Sequence, residues 1–330
     1  MTEIHSGPQA ISMGVDRLHD QRLVAFPTET VYGLGANALN AQAVDHVFSL
    51  KGRPSNNPLI VHVSGIEMAK TVVAEWTAEA EKIAQAFWPG PVTIVLGKGS
   101  SLPNNVCADG STVAVRCPAH PCALALIEAF GYPIVGPSAN PSGWISPTTP
   151  EHVADGFKDA DLLVIDGGHC RAGIESTVVD LTQDSIRILR LGVVGAHELE
   201  DALGHTVSSP ISGSEVDSDI DQVRSPGMIG AHYQPRTKTK LVNTPDLKSA
   251  TIDQALISWS IKTHPADGQL IKISESMSDY ASQIYRALHD ADRHGNAEIW
   301  VEPPPSNQTS TQERAIYEAV MERLERATHA

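Results

Sequence analysis

Two short apolar segments in the first half of the chain end in the same way, and this shared ending limits the possible folds strongly. Residues 23–26 read Leu-Val-Ala-Phe and run into Pro-Thr-Glu-Thr-Val-Tyr-Gly-Leu-Gly at 27–35. Residues 132–135 likewise run into Gly-Pro-Ser-Ala-Asn-Pro-Ser-Gly at 136–143. Because proline cannot donate to a sheet, each apolar segment is predicted to be a buried strand that stops at a polar loop.

The loop at 27–35 has a composition that suits ligand binding. Four side chains with hydrogen-bonding groups lie within the five residues 28–32. Gly33 and Gly35 allow a positive φ or a close approach of the backbone to a ligand. Taken alone, the segment is equally compatible with an ordinary turn. Open sheets bind ligands beyond the ends of their strands, so the recurrence of such loops favours a site there.

Predicted strands and helices alternate through the first two hundred residues. Hydrophobic spacing predicts helices over 41–50, 67–76, 78–88, 121–130, 150–157 and 196–203. Strands are predicted at 23–26, 58–63, 92–96, 112–116, 132–135, 162–165, 176–181 and 185–191. This alternation predicts a three-layer α/β or mixed α+β domain.

The composition changes after residue 204. Residues 208–223 are rich in Ser and Asp and are predicted to be an extended linker. Residues 224–235 add a His and a Tyr, so part of the linker is expected to fold back. The final segment has the pattern of a small parallel α/β unit. We therefore divide the chain into a catalytic domain (1–205), a linker able to cover the active site (206–238) and a second domain (239–330).

Composition excludes several classes of protein. The formal net charge is −15, and a protein that grips nucleic acid through phosphates is expected to carry a basic excess. No apolar stretch is long enough for a membrane span, and residues 1–8 do not resemble a signal peptide, so a cytoplasmic protein is expected. The four cysteines form no CxxC pair, and the Cys-Pro-Ala-His-Pro-Cys segment at 117–122 is better explained by packing than by zinc.

Cationic side chains are informative in so acidic a chain. Lys51 and Arg53 follow a predicted helix, and Arg116 and Arg190 lie near predicted strand ends. Small polar residues accompany them in the predicted loops and strand ends, namely Thr30, Asn57, Ser138, Asn140, Ser146 and Ser176. Arginine suits carboxylate and phosphate, and lysine suits polyphosphate. This inventory indicates a site for an anionic ligand such as a nucleotide.

Two other sequence patterns leave alternatives open. No GxxxxGK[ST] motif is present, so a P-loop mechanism is not expected. The segment around Ser138 resembles half of a nucleophile elbow, which leaves a serine hydrolase as an alternative. His62 lies within a predicted strand and, taken alone, is better explained as a core histidine.

Three motifs together resemble the YrdC/Sua5 family of L-threonylcarbamoyladenylate synthases. They are Pro27–Gly35, Lys51-Gly-Arg53-Pro54 followed by Asn57-Pro-Leu59, and Ser138-Ala-Asn140-Pro-Ser-Gly143. The resemblance covers most of residues 10–205. Ser225–Met228 with His232 and Tyr233 is similar to the linker of the two-domain Sua5 form.

The resemblance implies a fold and a reaction. It implies a three-layer domain with a twisted mixed sheet and a concave cavity, followed by a small Rossmann-like domain. The implied reaction is Mg²⁺-dependent and converts L-threonine, bicarbonate and ATP to threonylcarbamoyl-AMP and pyrophosphate, which makes the chain a nucleotidyltransferase. A separate transferase would place the group on adenosine 37 of tRNA, so stable tRNA binding by this chain is not expected.

The resemblance also implies roles for particular residues. The charged catalytic centre would comprise Lys51, Arg53, Ser138 and Asn140. Threonine would contact Thr30, His62, Arg116, Gly136 and Ser176, with Arg116 on its carboxylate. ATP would contact Arg53, Asn57, Thr112, Ser138, Ser146, Arg190 and Tyr233. Ser138 would bind substrate without acting as a nucleophile, and no residue is assigned as a metal ligand.

The chain departs from the family pattern at two places. The family usually has Ala at the position of Gly136, and usually has aromatic and basic residues where this chain has 229–231. Two other functional classes stay open: an RNA-binding module with a basic cavity, and a carbamoyltransferase or related enzyme acting on a different amine or acid. The sequence assigns no role to Glu29.

Overall fold

The computed structural model describes residues 1–210 and 233–328, which form two sheets with helices packed around them. The strands of the first sheet are β1 Glu3–Ser6, β2 Val24–Phe26, β3 Gly33–Asn37, β4 Ile60–His62, β5 Val92–Gly97, β6 Thr112–Arg116, β7 Ile134–Val135, β8 Leu163–Asp166, β9 Thr177–Asp180 and β10 Arg187–Arg190. Its helices are α1 Gly7–His19, α2 Ala41–Lys51, α3 Ile66–Lys70, α4 Ala78–Phe87, α5 Pro121–Phe130, α6 Pro150–Gly156 and α7 Ala196–Leu203. A 3₁₀ turn spans Asn104–Cys107.

The first sheet has ten strands and mixed direction. Its strand order is β1-β8-β2-β3-β7-β4-β6-β5-β9-β10. Helices α1 and α5 pack together on one group of apolar side chains, represented by Leu18 and Ile127. Helices α2 and α4 contribute to a separate apolar cluster, represented by Val47 and Ile83. The predicted mixed α/β class is thus confirmed.

The second sheet is small and fully parallel. Its strands are β11 Thr239–Leu241, β12 Gln254–Ser258, β13 Leu270–Lys272 and β14 Glu298–Val301, in the order β11-β14-β12-β13. Its helices are α8 Thr244–Leu247, α9 Met277–Arg293 and α10 Thr311–Thr328. No helix in either described range combines the length and the apolar character needed to cross a membrane.

Three local predictions were wrong. The loop predicted at 27–35 ends earlier, because Gly33 begins strand β3, which pairs antiparallel with β2. Neither Gly33 nor Gly35 has a positive φ. A Cβ on Gly33 would lie 2.8 Å from the Phe26 ring, so the group that approaches this glycine closely is a side chain of the protein. The helix predicted at 67–76 stops at Lys70, because residues 72–74 hydrogen-bond to the backbone at residues 97–99. Strand β1 and helix α1 were not predicted.

The second sheet's helices pack directly against the first part of the chain. One apolar cluster combines Val31, Ile145 and Ile174 with residues of α9 and α10. Gly173 has a φ of +72°, and a Cβ there would lie 2.4 Å from the carbonyl oxygen of Ala281 in α9. Glycine is therefore required where this helix approaches. Most of the linker predicted at 206–238, including 225–228 and His232, lies outside the described residues.

Candidate active site

A polar cavity lies where the loops after strands β2 and β7 meet the ends of β4 and β6. The space between protein atoms there opens to solvent and amounts to about 620 Å³ when that open solvent is included. The sequence-predicted residues that line it are Thr30, Arg53, His62, Arg116, Gly136, Ser138, Asn140, Ser146, Arg190 and Tyr233. The other lining residues are Thr28, Val31, Gly33, Ile60, Pro137, Trp144 and Glu175.

The first wall of the cavity is a turn organised by a threonine hydroxyl. Oγ1 of Thr28 accepts hydrogen bonds from the backbone N–H groups of Thr30 and Val31, at 3.1 and 3.2 Å. It also donates to the Val31 carbonyl at 2.6 Å. Side-chain hydroxyls that bond to nearby backbone in this way stabilise turns. The turn buries Thr30 completely and places its hydroxyl 2.9 Å from that of Thr28.

Lys51 lies behind the cavity wall. Its ammonium donates to the carbonyl of Ser138 and, at 2.6 Å, to that of Asn140. Burial, and then the neighbouring Arg53, lower the pKa of Lys51 well below its ordinary value. The Lys-x-Arg motif at the end of α2 therefore holds the Ser-x-Asn loop in place, which explains in physical terms why the two motifs accompany each other.

Arg53 and Arg190 present guanidinium groups that are held by fixed hydrogen bonds. Nη2 of Arg53 donates to Oδ1 of Asn57 at 2.5 Å, and Nη2 of Arg190 donates to Oγ of Ser176 at 2.9 Å. Burial and then the charge of Arg190 lower the pKa of Arg53 to about 10, so it stays cationic at neutral pH. Asn57 and Ser176 therefore orient arginines rather than line the cavity. Thr112 begins strand β6, at the end opposite Arg116.

Glu29, which the sequence left without a role, pairs with Arg116. Oε1 of Glu29 lies 2.7 Å from Nη2 of Arg116, and both side chains are largely buried. Nε of Arg116 donates to the Gly90 carbonyl at 3.2 Å. These contacts fix the guanidinium at the end of β6. Glu29 is the single acidic residue of the polar loop at 27–35, and this feature could have indicated an ion pair. Its partner was not predicted because it is distant in sequence.

His62 is a buried neutral imidazole beside Arg116. Burial and then the charge of Arg116 lower its pKa to about 3. Its Nδ1 has no hydrogen-bond partner among the described residues, and the same holds for Oδ1 of Asn140. Because buried polar atoms are almost always satisfied, two unsatisfied atoms on one cavity wall indicate positions where a ligand binds.

Gly136 makes room for the His62 ring. A Cβ at residue 136 would lie 2.7 Å from Nδ1 of His62 and 2.8 Å from the Phe26 ring. An alanine would force these rings to shift. The departure from the family pattern at this position therefore affects side-chain packing in the cavity as well as backbone freedom.

Glu175 is a second buried carboxylate that sequence reasoning missed. It lies at the cavity wall and accepts a hydrogen bond from Ser146 at 2.6 Å. Its other oxygen is 3.3 Å from Nε of Arg323, in helix α10. Nothing local in the sequence connects residues so far apart, so only the fold reveals this contact.

The cavity does not contain a metal site formed by the protein. In the two described ranges, no three His, Cys, Asp or Glu side chains converge as metal ligands. Glu175, at the cavity wall, and Glu29, beside Arg116, already contact arginines. Mg²⁺ commonly binds through one or two carboxylates together with substrate phosphates. The residues present therefore do not fit a resident Mg²⁺ ion.

The fold and the cavity define a class of protein: a mixed α/β protein with an arginine-lined pocket for a small anionic ligand. Comparison with family models makes the assignment specific. The Sua5_yciO_yrdC model, described as telomere recombination, matches residues 16–192. The model for the C-terminal domain of threonylcarbamoyl-AMP synthase matches residues 194–329. The chain belongs to the Sua5/YciO/YrdC family and has the two-domain Sua5 form.

Individual relatives agree with this assignment. Threonylcarbamoyl-AMP synthase of Pyrococcus abyssi is 38% identical over 94% of this chain and 92% of its own length. The protein of the same name from Bacillus subtilis is 41% identical over 71% of this chain and 66% of its own length. The crystal structure of Pyrococcus abyssi Sua5 complexed with L-threonine superposes with a TM-score of 0.87 at 34% identity, covering 99% of this chain and 97% of that one.

Proposed function

We propose that this chain is an L-threonylcarbamoyladenylate synthase, a nucleotidyltransferase that converts L-threonine, bicarbonate and ATP to threonylcarbamoyl-AMP and pyrophosphate. The main support is a cavity lined by Arg53, Arg116 and Arg190, within a chain of net charge −15. The Pyrococcus abyssi relative, which carries the synthase name, matches nearly the whole chain. We retain the division into 1–205, 206–238 and 239–330 as part of the proposal.

The proposed threonine end of the cavity centres on Arg116, with Thr30, His62 and Gly136 around it, while Ser176 acts from behind the wall by holding Arg190. A guanidinium suits the α-carboxylate because it offers two parallel N–H donors. Glu29 fixes that guanidinium, and a neutral His62 adds a hydrogen-bonding group without charge. The threonine amine is thereby left free to react with bicarbonate.

The proposed nucleotide end holds the phosphates near Arg53 and the loop at 138–140. The amine attacks the bicarbonate carbon, and water leaves as the carbamate forms. A carbamate oxygen then attacks the α-phosphorus while the bond to pyrophosphate breaks. The arginines offset the charge that accumulates on the phosphates, and holding three reactants in sequence lowers the entropic part of the barrier. No protein nucleophile is needed, so Ser138 has a binding role.

The metal and the product complete the proposal. We propose that Mg²⁺ arrives as the ATP complex, where it neutralises phosphate charge. The adenylate would pass to a separate tRNA threonylcarbamoyl transferase, in the cytoplasm. The chain itself would not hold tRNA stably, in keeping with its acidic character.

The test is a reconstituted reaction with the purified full-length chain, ATP, Mg²⁺, bicarbonate and L-threonine. We expect pyrophosphate release that requires both threonine and bicarbonate, and a product with the mass of threonylcarbamoyl-AMP. Glycine in place of threonine and removal of bicarbonate are the matched controls. No threonine-dependent release in the presence of Mg²⁺ would refute the proposal, and release with another amine would support a different enzyme of this fold.

A further inference from the structure

Glu175 receives contacts from both parts of the chain. Its side chain is 6% exposed and lies at the cavity wall. From the first domain, Oγ of Ser146 donates to Oε1 at 2.6 Å. From the second, the Tyr285 hydroxyl donates to Oε2 at 3.1 Å, and Nε of Arg323 lies 3.3 Å from the same oxygen. One carboxylate thus connects a cavity hydroxyl to helices α9 and α10.

Arg323 is an unusual residue for the last helix of a chain. It is 2% exposed, and its Cζ lies 5.8 Å from the ring centroid of Tyr233, which lines the cavity. Its Nη1 donates to the Ala319 carbonyl at 3.1 Å and to Oε2 of Glu322, in the same helix, at 2.9 Å, while its Nη2 has no hydrogen-bond partner in the described ranges. Charged side chains are rarely buried without a specific partner, and Glu175 is a buried partner of opposite charge.

The charge of Glu175 sets the orientation of the Ser146 hydroxyl. Burial raises the pKa of Glu175, but Arg323, Arg190 and the Ser146 hydrogen bond bring it below its ordinary value. An ionised carboxylate only accepts hydrogen bonds, so Ser146 must donate to it. The lone pairs of Ser146 are then left for the cavity, where they accept from a donor. On a nucleotide, the donors are the ribose hydroxyls and the adenine amino group, whereas ionised phosphate oxygens only accept.

We propose that Glu175 and Arg323 form an interdomain positioning pair that fixes Ser146 as a hydrogen-bond acceptor for the nucleoside part of the nucleotide. The proposal rests on the proposed function, in which Ser146 contacts ATP. It gives the second domain a direct part in substrate binding, because α9 and α10 supply the groups that hold Glu175.

The variant Arg323→Met tests the pair, with Arg314→Met, at an exposed position of the same helix, as the matched control. Hydrogen bonds to charged groups contribute enough that we expect the KM for ATP to rise about tenfold or more. The KM for threonine and the inhibition constant of inorganic triphosphate should change by less than about threefold, because neither ligand contains the nucleoside. Arg323→Lys should restore much of the ATP affinity. Arg314→Met should behave as wild type.

A KM for ATP that stays at the wild-type value in Arg323→Met would overturn the proposal. Equally weakened binding of ATP, threonine and triphosphate would also overturn the proposal, since that result indicates general structural damage. If Arg323→Met does not fold, the variant Tyr285→Phe replaces it, because this change removes one hydroxyl that is bonded to Glu175. We then expect a selective rise in the KM for ATP of about threefold or more. An unchanged KM for ATP would count against the pair. A wild-type chain that makes no adenylate would instead refute the proposed function.

Discussion

The stacked histidines His152 and His289 should make the protein sensitive to acid. They belong to helices α6 and α9, and their ring centroids are 3.9 Å apart with an angle of 20° between the planes. The Thr148 N–H donates to Nδ1 of His152 at 3.3 Å, so that nitrogen accepts and carries no proton. Nε2 of His289 lies 3.2 Å from the carbonyl oxygen of Ser146, to which it can only donate. Both rings are therefore held as neutral imidazoles.

The pKa values give the size and the sign of the effect. Burial, and then His289, lower the pKa of His152 to about 2. Burial lowers the pKa of His289 to about 4 even though its hydrogen bond to Ser146 opposes this. In the unfolded chain both pKa values return to about 6.5. Because the unfolded state then binds more protons, stability is complete above about pH 6.5 and falls as the pH drops below it.

The lowered pKa values of the two histidines correspond to a loss of unfolding free energy in acid. At pH 5, a shift from about 6.5 to about 4 corresponds to about 2 kcal/mol for His289, and the larger shift of His152 gives a similar value. The sum of about 4 kcal/mol is an upper estimate, and it is a large part of the 5–15 kcal/mol that typically stabilises a domain. For His289 the loss continues down to about pH 4.

The assay is the free energy of unfolding from urea titrations between pH 7.5 and 5. We compare the wild type with the double variant His152→Gln/His289→Gln, which keeps an acceptor and a donor but cannot be protonated. The wild type should lose up to about 4 kcal/mol more than the double variant over this interval. The exposed His46→Gln is the control and should follow the wild type. Parallel pH profiles for wild type and double variant would refute the reasoning.

Four other variants test the packing and the charged centre. Gly173→Ala combines a φ of +72° with a Cβ 2.4 Å from the Ala281 carbonyl oxygen, so we expect it to lower the unfolding free energy by about 3 kcal/mol or more. Gly204→Ala, with a φ of +82° and open space around its Cβ, should lower the unfolding free energy by about 1–2 kcal/mol. Equal losses of unfolding free energy in Gly173→Ala and Gly204→Ala would contradict the contact between Gly173 and helix α9. Lys51→Met leaves the carbonyls of Ser138 and Asn140 without their donor. Thermal melts should therefore show that the unfolding free energy falls by roughly 2 kcal/mol, and adenylate synthesis should fall strongly. An unchanged melting temperature would contradict this role of Lys51. Arg53→Met should abolish most synthesis measured by pyrophosphate release, and near-normal turnover would remove it from the charged centre.

The sequence predicted those elements whose packing follows a simple periodicity. Helices α4 and α5 carry apolar residues at helical spacing, and both were found within one residue of the limits predicted at 78–88 and 121–130. Helix α1 was missed because its buried face includes Ala10 and Gly14, which give little hydrophobic signal. At Gly14 a Cβ would come within 3.0 Å of the Leu126 side chain, so the small residue serves close helix packing. Such a requirement exists only once the partner helix is in place.

The site was accessible from the sequence only in part. Long motifs that resemble a known family located the loops around Thr30 and Ser138, and cations that cluster in an acidic chain indicated an anionic ligand. The contacts that orient the cations could not be predicted in this way. Glu29 pairs with Arg116, 87 positions later in the chain, and Glu175 pairs with a residue 148 positions later. Both pairs depend on distances in the folded chain, and periodicity carries no information about them.

The charge of the chain and the charge of its cavity act on different ligands. At physiological salt, exposed charges are screened beyond about 8 Å, whereas buried arginines are screened much less. In the proposed function, a triphosphate that enters the cavity would reach Arg53 and Arg190, which both line it. A folded RNA is too large to enter and meets an exterior dominated by carboxylates, since the net charge is −15. Acidic character and an arginine-lined pocket are therefore compatible, and together they favour a small-molecule substrate over stable binding of nucleic acid.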